Sequence, residues 1–130
     1  MSTITSGAME MNWDPGQRLA EVHFIGAADA TGEEAAPLVD ALERWIGTDG
    51  EPFGLLGNGA GLRSLDAPYR QVWGTFLRQH REEVCVAFFN LGPAIRIAAD
   101  LFRVGTGLRL KAFAKEDEAR SWLRGMGIAA

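Results

Sequence analysis

The sequence predicts an α/β fold of order ββαβαβαβα: an N-terminal hairpin leads a mainly parallel five-stranded sheet wound with four helices. Three observations carry this. Behind residue 30, stretches with helical apolar spacing alternate with short apolar strands, the pattern of a parallel sheet with right-handed crossovers. Residues 84–91 form a near-continuous apolar run, as in a central strand covered on both faces. The turn signal D-P-G at residues 14–16 separates two strand-like segments, where Pro presets one turn angle and Gly tolerates positive φ.

The elements follow in order. Residues 9–13 and 17–25 are the hairpin strands, and residues 1–7 are expected to be a flexible N-terminus to a single domain spanning residues 1–130. T-G-E-E at residues 31–34 matches a capping box, in which Thr31 and Glu34 satisfy each other's orphan amides. Behind it Ala35, Leu38, Val39, Leu42, Trp45 and Ile46 share one helical face. Pro37 lies too deep for a clean first turn, so that helix either kinks or begins near it. Residues 53–56 form the third strand. From residue 68 to 82, Tyr69, Val72, Trp73, Phe76 and Leu77 make an apolar stripe, with Arg70, Gln71, Arg78, Arg81 and Glu82 mostly outside it. Gly92 and Pro93 open the third helix, residues 108–114 are the fifth strand, and residues 115–127 close the chain as a helix with Ala119, Trp122, Leu123 and Met126 inward.

Composition narrows the function classes. The 130 residues are 47% hydrophobic and 23% charged, a globular balance. Thirteen Lys and Arg against 17 Asp and Glu give a net charge of −4, which argues against nucleic acid as a partner. The single cysteine, Cys85, excludes an internal disulfide and, within an apolar run, reads as a buried inert thiol. The N-terminus has neither the charged nor the apolar region of a signal peptide, and no apolar run nears the roughly 20 residues of a membrane span. A cytoplasmic protein, not a transmembrane one, is expected.

The stretch G-L-L-G-N-G-A-G-L-R-S-L-D-A-P-Y, residues 54–69, raises the question of a phosphate cradle. The dinucleotide fingerprint needs G-x-G-x-x-G opening a helix directly, whereas Gly57, Gly59 and Gly61 stand alternately and too far from the helix. The nucleotide P-loop needs a Gly-Lys pair, which the chain lacks. An ordinary loop is favoured. Ser64, His80 and Asp66 form a conceivable hydrolytic set, but no nucleophile-elbow motif supports it. Paired carboxylates occur only at helix ends, where they cap and solvate. His23 and His80 have no partner at metal-ligand spacing. No enzyme activity, metal or cofactor is expected.

Two stretches resemble a known family. The C-terminal half carries H-R-E-E-V-C-V-A-F-F-N, then A-A-D-L-F-R-V-G-T-G-L-R-L-K-A-F-A-K-E-D-E-A-R-S-W-L. The strand, the helix ending near Phe102, the strand ending in K-A-F and the closing E-A-x-x-W-L resemble the STAS domain superfamily over about residues 8–126. The nearest subgroup is the bacterial STAS-like proteins grouped with CRAL-TRIO lipid-transfer domains. The superfamily includes anti-sigma factor antagonists of bacterial partner-switching signalling. Its members carry V-x-x-[IL]-D-S-[ST]-G at the start of the second helix, with the phosphorylatable hydroxyl two residues after the Asp. The matching stretch is L-R-S-L-D-A-P-Y, residues 62–69. Asp66 fits, but Ala67 and Pro68 stand at the hydroxyl positions and Tyr69 at the glycine, so the resemblance implies a switch without its usual phosphoacceptor. Ser64 is read as a local loop or capping donor, and Asp66 as an N-cap ahead of Pro68.

The resemblance implies a non-enzymatic regulatory or protein-interaction module. Its expected partner-binding residues are Arg63, Ser64, Asp66, Tyr69, Arg70 and Arg78, around the loop and the second helix. The alternative is a carrier or sensor of a small apolar or lipid-like ligand. From residue 94 to 104 only Arg96, Asp100 and Arg103 are polar, with Asp100 able to pair with both arginines. So apolar a helix is favoured as deeply buried. Failing that, Ile95, Ile97, Leu101 and Phe102 supply a homodimer surface or a ligand wall.

Overall fold

The structure, a computed structural model, describes residues 1–130. Its elements are β1 (Ser2–Ser6), β2 (Met9–Asp14), β3 (Leu19–Phe24), β4 (Ala28–Ala30), α1 (Gly32–Ile46), β5 (Phe53–Asn58), β6 (Leu62–Leu65), α2 (Ala67–Gln79), β7 (Val84–Phe89), α3 (Pro93–Thr106), β8 (Leu110–Phe113) and α4 (Glu116–Gly125). Six strands make one sheet in the order β1-β2-β3-β5-β7-β8, while β4 and β6 pair as a separate parallel ribbon. The β1–β2 and β2–β3 pairs are antiparallel, and β3, β5, β7 and β8 run parallel. No helix is long and apolar enough to cross a membrane.

All four helices and all five expected strands are present, and three strands are additional. Ser2–Ser6, expected to be a flexible N-terminus, is an edge strand whose register pairs Ile4 with Met11. Its sequence offers one apolar residue, and backbone pairing supplies the rest. Residues 28–30 and 62–65 form the β4–β6 ribbon, too short to show an apolar period.

Alternation along β7 explains the layering. Val84 and Val86 point to one face with Met9, Met11, Trp13, Val22, Phe53 and Leu55, where α1 and α2 close the larger core. Cys85, Ala87 and Phe89 point to the other, beneath Ala119 and Leu123 of α4. Burial pushes the Cys85 thiol pKa up, despite the opposing charge of Arg109. α1 starts at Gly32 and runs on through Pro37 to Ile46, so the helix does not begin near the proline. The capping box is half formed. Thr31 Oγ1 accepts from Glu34 N at 3.3 Å, but the Glu34 carboxylate bonds Thr31 Oγ1 and Ala8 N instead of the Thr31 amide. That contact ties α1 to the β1–β2 turn.

Candidate interaction site

The glycine-rich turn is built for close backbone approach. Gly59 N donates to Phe89 O at 2.8 Å, and a side chain there would press on the Asn90 carbonyl. Gly61 has φ +83°, and a side chain would collide with the Gly26 carbonyl. Asn58 Oδ1 accepts from Ala60 N at 3.0 Å and from Asn90 Nδ2 at 3.2 Å, pinning the turn to the end of β7. The amides a phosphate cradle would offer are partly spent on this pinning.

Beyond the turn, β6 lies beside β4 with Ser64 opposite Asp29. Ser64 Oγ donates to Asp29 Oδ1 at 2.8 Å and Arg63 reaches Asp29 Oδ2 at 2.7 Å. The Ser64 hydrogen bond, then the Arg63 guanidinium, hold the Asp29 carboxyl below its ordinary pKa of 3.8. Asp66 caps α2, accepting from Tyr69 N at 2.7 Å, as its place before Pro68 suggests. It also accepts from Gly32 N at 3.2 Å, so one carboxylate holds the N-termini of both α1 and α2. The residues of the conceivable hydrolytic set are engaged apart: Ser64 with Asp29, Asp66 with two helix ends, and His80 with Glu43 at 3.2 Å.

Between α2, α3 and the C-terminal ends of β3, β5 and β7 lies an apolar cleft of about 110 Å³. Ligands in open parallel sheets sit at this end of the strands. Leu55, Phe88, Ile95 and Phe102 form much of its wall; Tyr69, Arg70 and Trp73, on one face of α2, bring its polar groups. Trp73 is 7% exposed, and its indole N–H is buried without a hydrogen-bond partner. Against the larger effect of burial, the indole N–H, which lies against the Tyr69 hydroxyl, draws that group's pKa down. Burial drives the Tyr69 pKa above its ordinary value.

α3 corrects an expectation. None of its residues is buried. Ile97, Leu101 and Val104 are 62%, 69% and 74% exposed and form an i, i+4, i+7 row facing solvent. Asp100 joins neither arginine in an ion pair; Arg96 reaches the Ala112 carbonyl at 3.4 Å. The favoured deep burial fails because α3 covers the sheet with one narrow edge, Ile95, Ala98, Ala99 and Phe102, around the cleft.

The structure thus groups the expected residues in three. Arg63 and Ser64 meet at Asp29. Tyr69, Arg70, Ile95 and Phe102 line the cleft. Ile97 and Leu101 lie on the outer face of α3. Arg78 is exposed on α2, unpaired, with its guanidinium close to Gly74 where Phe102 crosses. Asp29 had no sequence signal, since it lies 35 positions from Ser64, whereas Val104 belongs to the apolar run of the third helix.

No protein-family model matches the sequence, and no curated protein matches it. Solved structures do. A DUF3478-family protein of Shewanella loihica with a SpoIIAA-like fold superposes with a TM-score of 0.70 at 20% identity, over 95% of this chain and 98% of that one. Apo-SiaC of Pseudomonas aeruginosa gives 0.63 at 14% identity, over 88% of this chain and all of that one. A chain of the P. aeruginosa complex of the diguanylate cyclase SiaD with its activator SiaC gives 0.62 at 14% identity, with the same coverage. The likeness is one of fold, and the fold is SpoIIAA-like, as the resemblance to STAS domains implies.

Proposed function

We propose that this chain is a non-enzymatic regulatory module that binds a protein partner through the outer face of α3 and the exposed arginines of α2. One observation carries the reading: a helix with no buried residue presents Ile97, Leu101 and Val104 in a continuous row to solvent. Apolar rows of this kind, rimmed by charge, mark interaction surfaces. Arg70 and Arg78 are exposed on α2, across the cleft from α3, with no acidic partner inside the chain, which suits an acidic rim on the protein that docks. SiaC, which shares the fold, activates the enzyme SiaD, and a role in setting an enzyme's activity within bacterial signalling fits this chain as well.

The module works without the usual phosphoacceptor. Ala67 and Pro68 have no side-chain oxygen. The nearest serine, Ser64, already donates to Asp29, and a phosphate there would set a dianion against that carboxylate. Stoichiometric phosphorylation of Ser64 in cells would contradict this part.

Charge reversal tests the surface. In affinity capture from the cells that make the protein, Arg70→Glu and Arg78→Glu each weaken retention of a discrete partner. A complex indifferent to both places the interface elsewhere. A second reading, a carrier or sensor of a small apolar ligand, has its own support in the cleft between α2 and α3, which Ile95 and Phe102 wall.

A further inference from the structure

We infer that the cleft between α2 and α3 is the anchor pocket for an acidic segment of the docking protein. One side chain of that segment, the size of leucine or phenylalanine, enters the cleft. Carboxylates on either side of it meet the arginines of α2 and α3. This rests on the first reading above, and it moves the centre of the interface from the outer row of α3 into the cleft.

Charge identifies the chemistry of the partner. The chain as a whole is acidic, with a net charge of −4. α2 and α3 reverse that sign: Arg70, Arg78, Arg96 and Arg103 stand against Asp100 alone. The rest of the chain holds nine Lys and Arg against 16 Asp and Glu. The positive charge is thus concentrated on the two helices that flank the cleft. It is also unspent, since none of the four arginines forms an ion pair within the chain. Complementary potentials speed encounter and reject like-charged surfaces, so this side selects an acidic segment over a basic one.

Shape identifies what that segment carries. Fourteen of the 18 lining residues are hydrophobic, and Arg70 is the one charged residue among them. At about 110 Å³ the cleft is somewhat smaller than the roughly 150 Å³ apolar cavity in which benzene binds. A leucine side chain or a single ring suits that volume, and a long acyl chain does not. An apolar side chain seated in a dry pocket and ringed by polar contacts is the form an interface hot spot takes. Arg78 and Arg103 lie outside the lining, where a free one-ring ligand does not reach and a peptide does. Phe102 in the cleft wall and Leu101 in the exposed row are neighbours on α3, so one segment covers both.

The test selects a random peptide display library on the full chain, then titrates the best enriched peptide, made with a fluorophore, by anisotropy. Enriched peptides should share one Leu or Phe with Asp or Glu within about four positions on both sides. Ala98→Phe, which fills the cleft with a ring, should weaken the peptide about tenfold or more. Ala94→Phe, the same bulk at an exposed position outside the lining, should change it by less than about twofold. Urea unfolding checks that Ala98→Phe folds, and Ala98→Leu replaces it if it does not. Arg70→Gln combined with Arg78→Gln, both exposed, should weaken the peptide about tenfold whatever the fate of Ala98→Phe. If no peptide is enriched, or the enriched ones lack acids or an apolar anchor, the acidic-anchor assignment is overturned, while the outer face of α3 still answers to its own charge-reversal test. A peptide lost with Leu101→Asp but indifferent to Ala98→Phe overturns the cleft and keeps the outer face. A peptide indifferent to all of these variants removes both.

Discussion

Asp66 accepts from Gly32 N and Tyr69 N with a single oxygen, joining the N-terminus of its own helix to that of α1, whose first residue lies 34 positions before it. Replacing it with Ala orphans both amides, and Asp66→Ala should cost about 2 kcal/mol in urea unfolding. Asp66→Asn keeps an acceptor and should cost under about 0.5 kcal/mol. Asp29 offers a pH signature. Its folded pKa is lowered, first by Ser64 and then by Arg63, so its contribution is present above the unfolded value and is lost as pH falls through the folded one. Ser64→Ala should move the Asp29 carboxyl titration, read by carbon NMR, up toward 3.8. The stability difference between the two proteins should then be present at neutral pH and shrink in acid. The capping role of Asp66 was legible, because a carboxylate before Ala-Pro and an amphipathic run has few other uses. Its second bond to Gly32 and the Asp29–Ser64 pair were not, since both depend on β4 and β6 lying side by side.

At the level of elements, α3 separates packing from docking. Phe102 packs against the main core and the Gly74 region of α2, while Leu101 beside it is 69% exposed. Phe102→Ala should destabilise by about 2 kcal/mol, less than a fully buried Phe, and Leu101→Asp by under about 0.5 kcal/mol, both by urea unfolding. A large loss from Leu101→Asp would mean that α3 is covered. The glycine turn makes the opposite prediction. Gly61→Ala, at φ +83° and against the Gly26 carbonyl, should cost more than about 2 kcal/mol although the loop is exposed. Periodicity located α1, α2 and α4 because each has one apolar face on a sheet. It misjudged α3, since an apolar helix has the same sequence whether its outer side is covered or bare. The strands β1, β4 and β6 escaped because backbone pairing, not side-chain pattern, defines them.

For the whole molecule, the six-stranded sheet divides two apolar layers. α1 and α2 cover one layer, α4 the other, and α3 rests on the rim of the first. Cys85, 1% exposed in the central strand β7, reports on that layering: its raised thiol pKa and its burial should leave it unlabelled by a thiol reagent until the chain unfolds globally. The ββαβαβαβα order was legible because alternating strand and helix patterns constrain a sheet so strongly. The surface that a partner would use was not, because it is defined by what the chain fails to cover. The central claim is that this uncovered α2–α3 side is the interaction surface. It is tested most directly by site-specific photocrosslinking in the cells that make the protein, with the crosslinker at position 101 on α3 or at position 124 on α4, on the opposite side of the sheet. A single discrete protein should crosslink from position 101, should be absent from position 124, and should be lost when Arg78→Glu is added. Equal crosslinking from both positions, or only self-crosslinking from position 101, would contradict it.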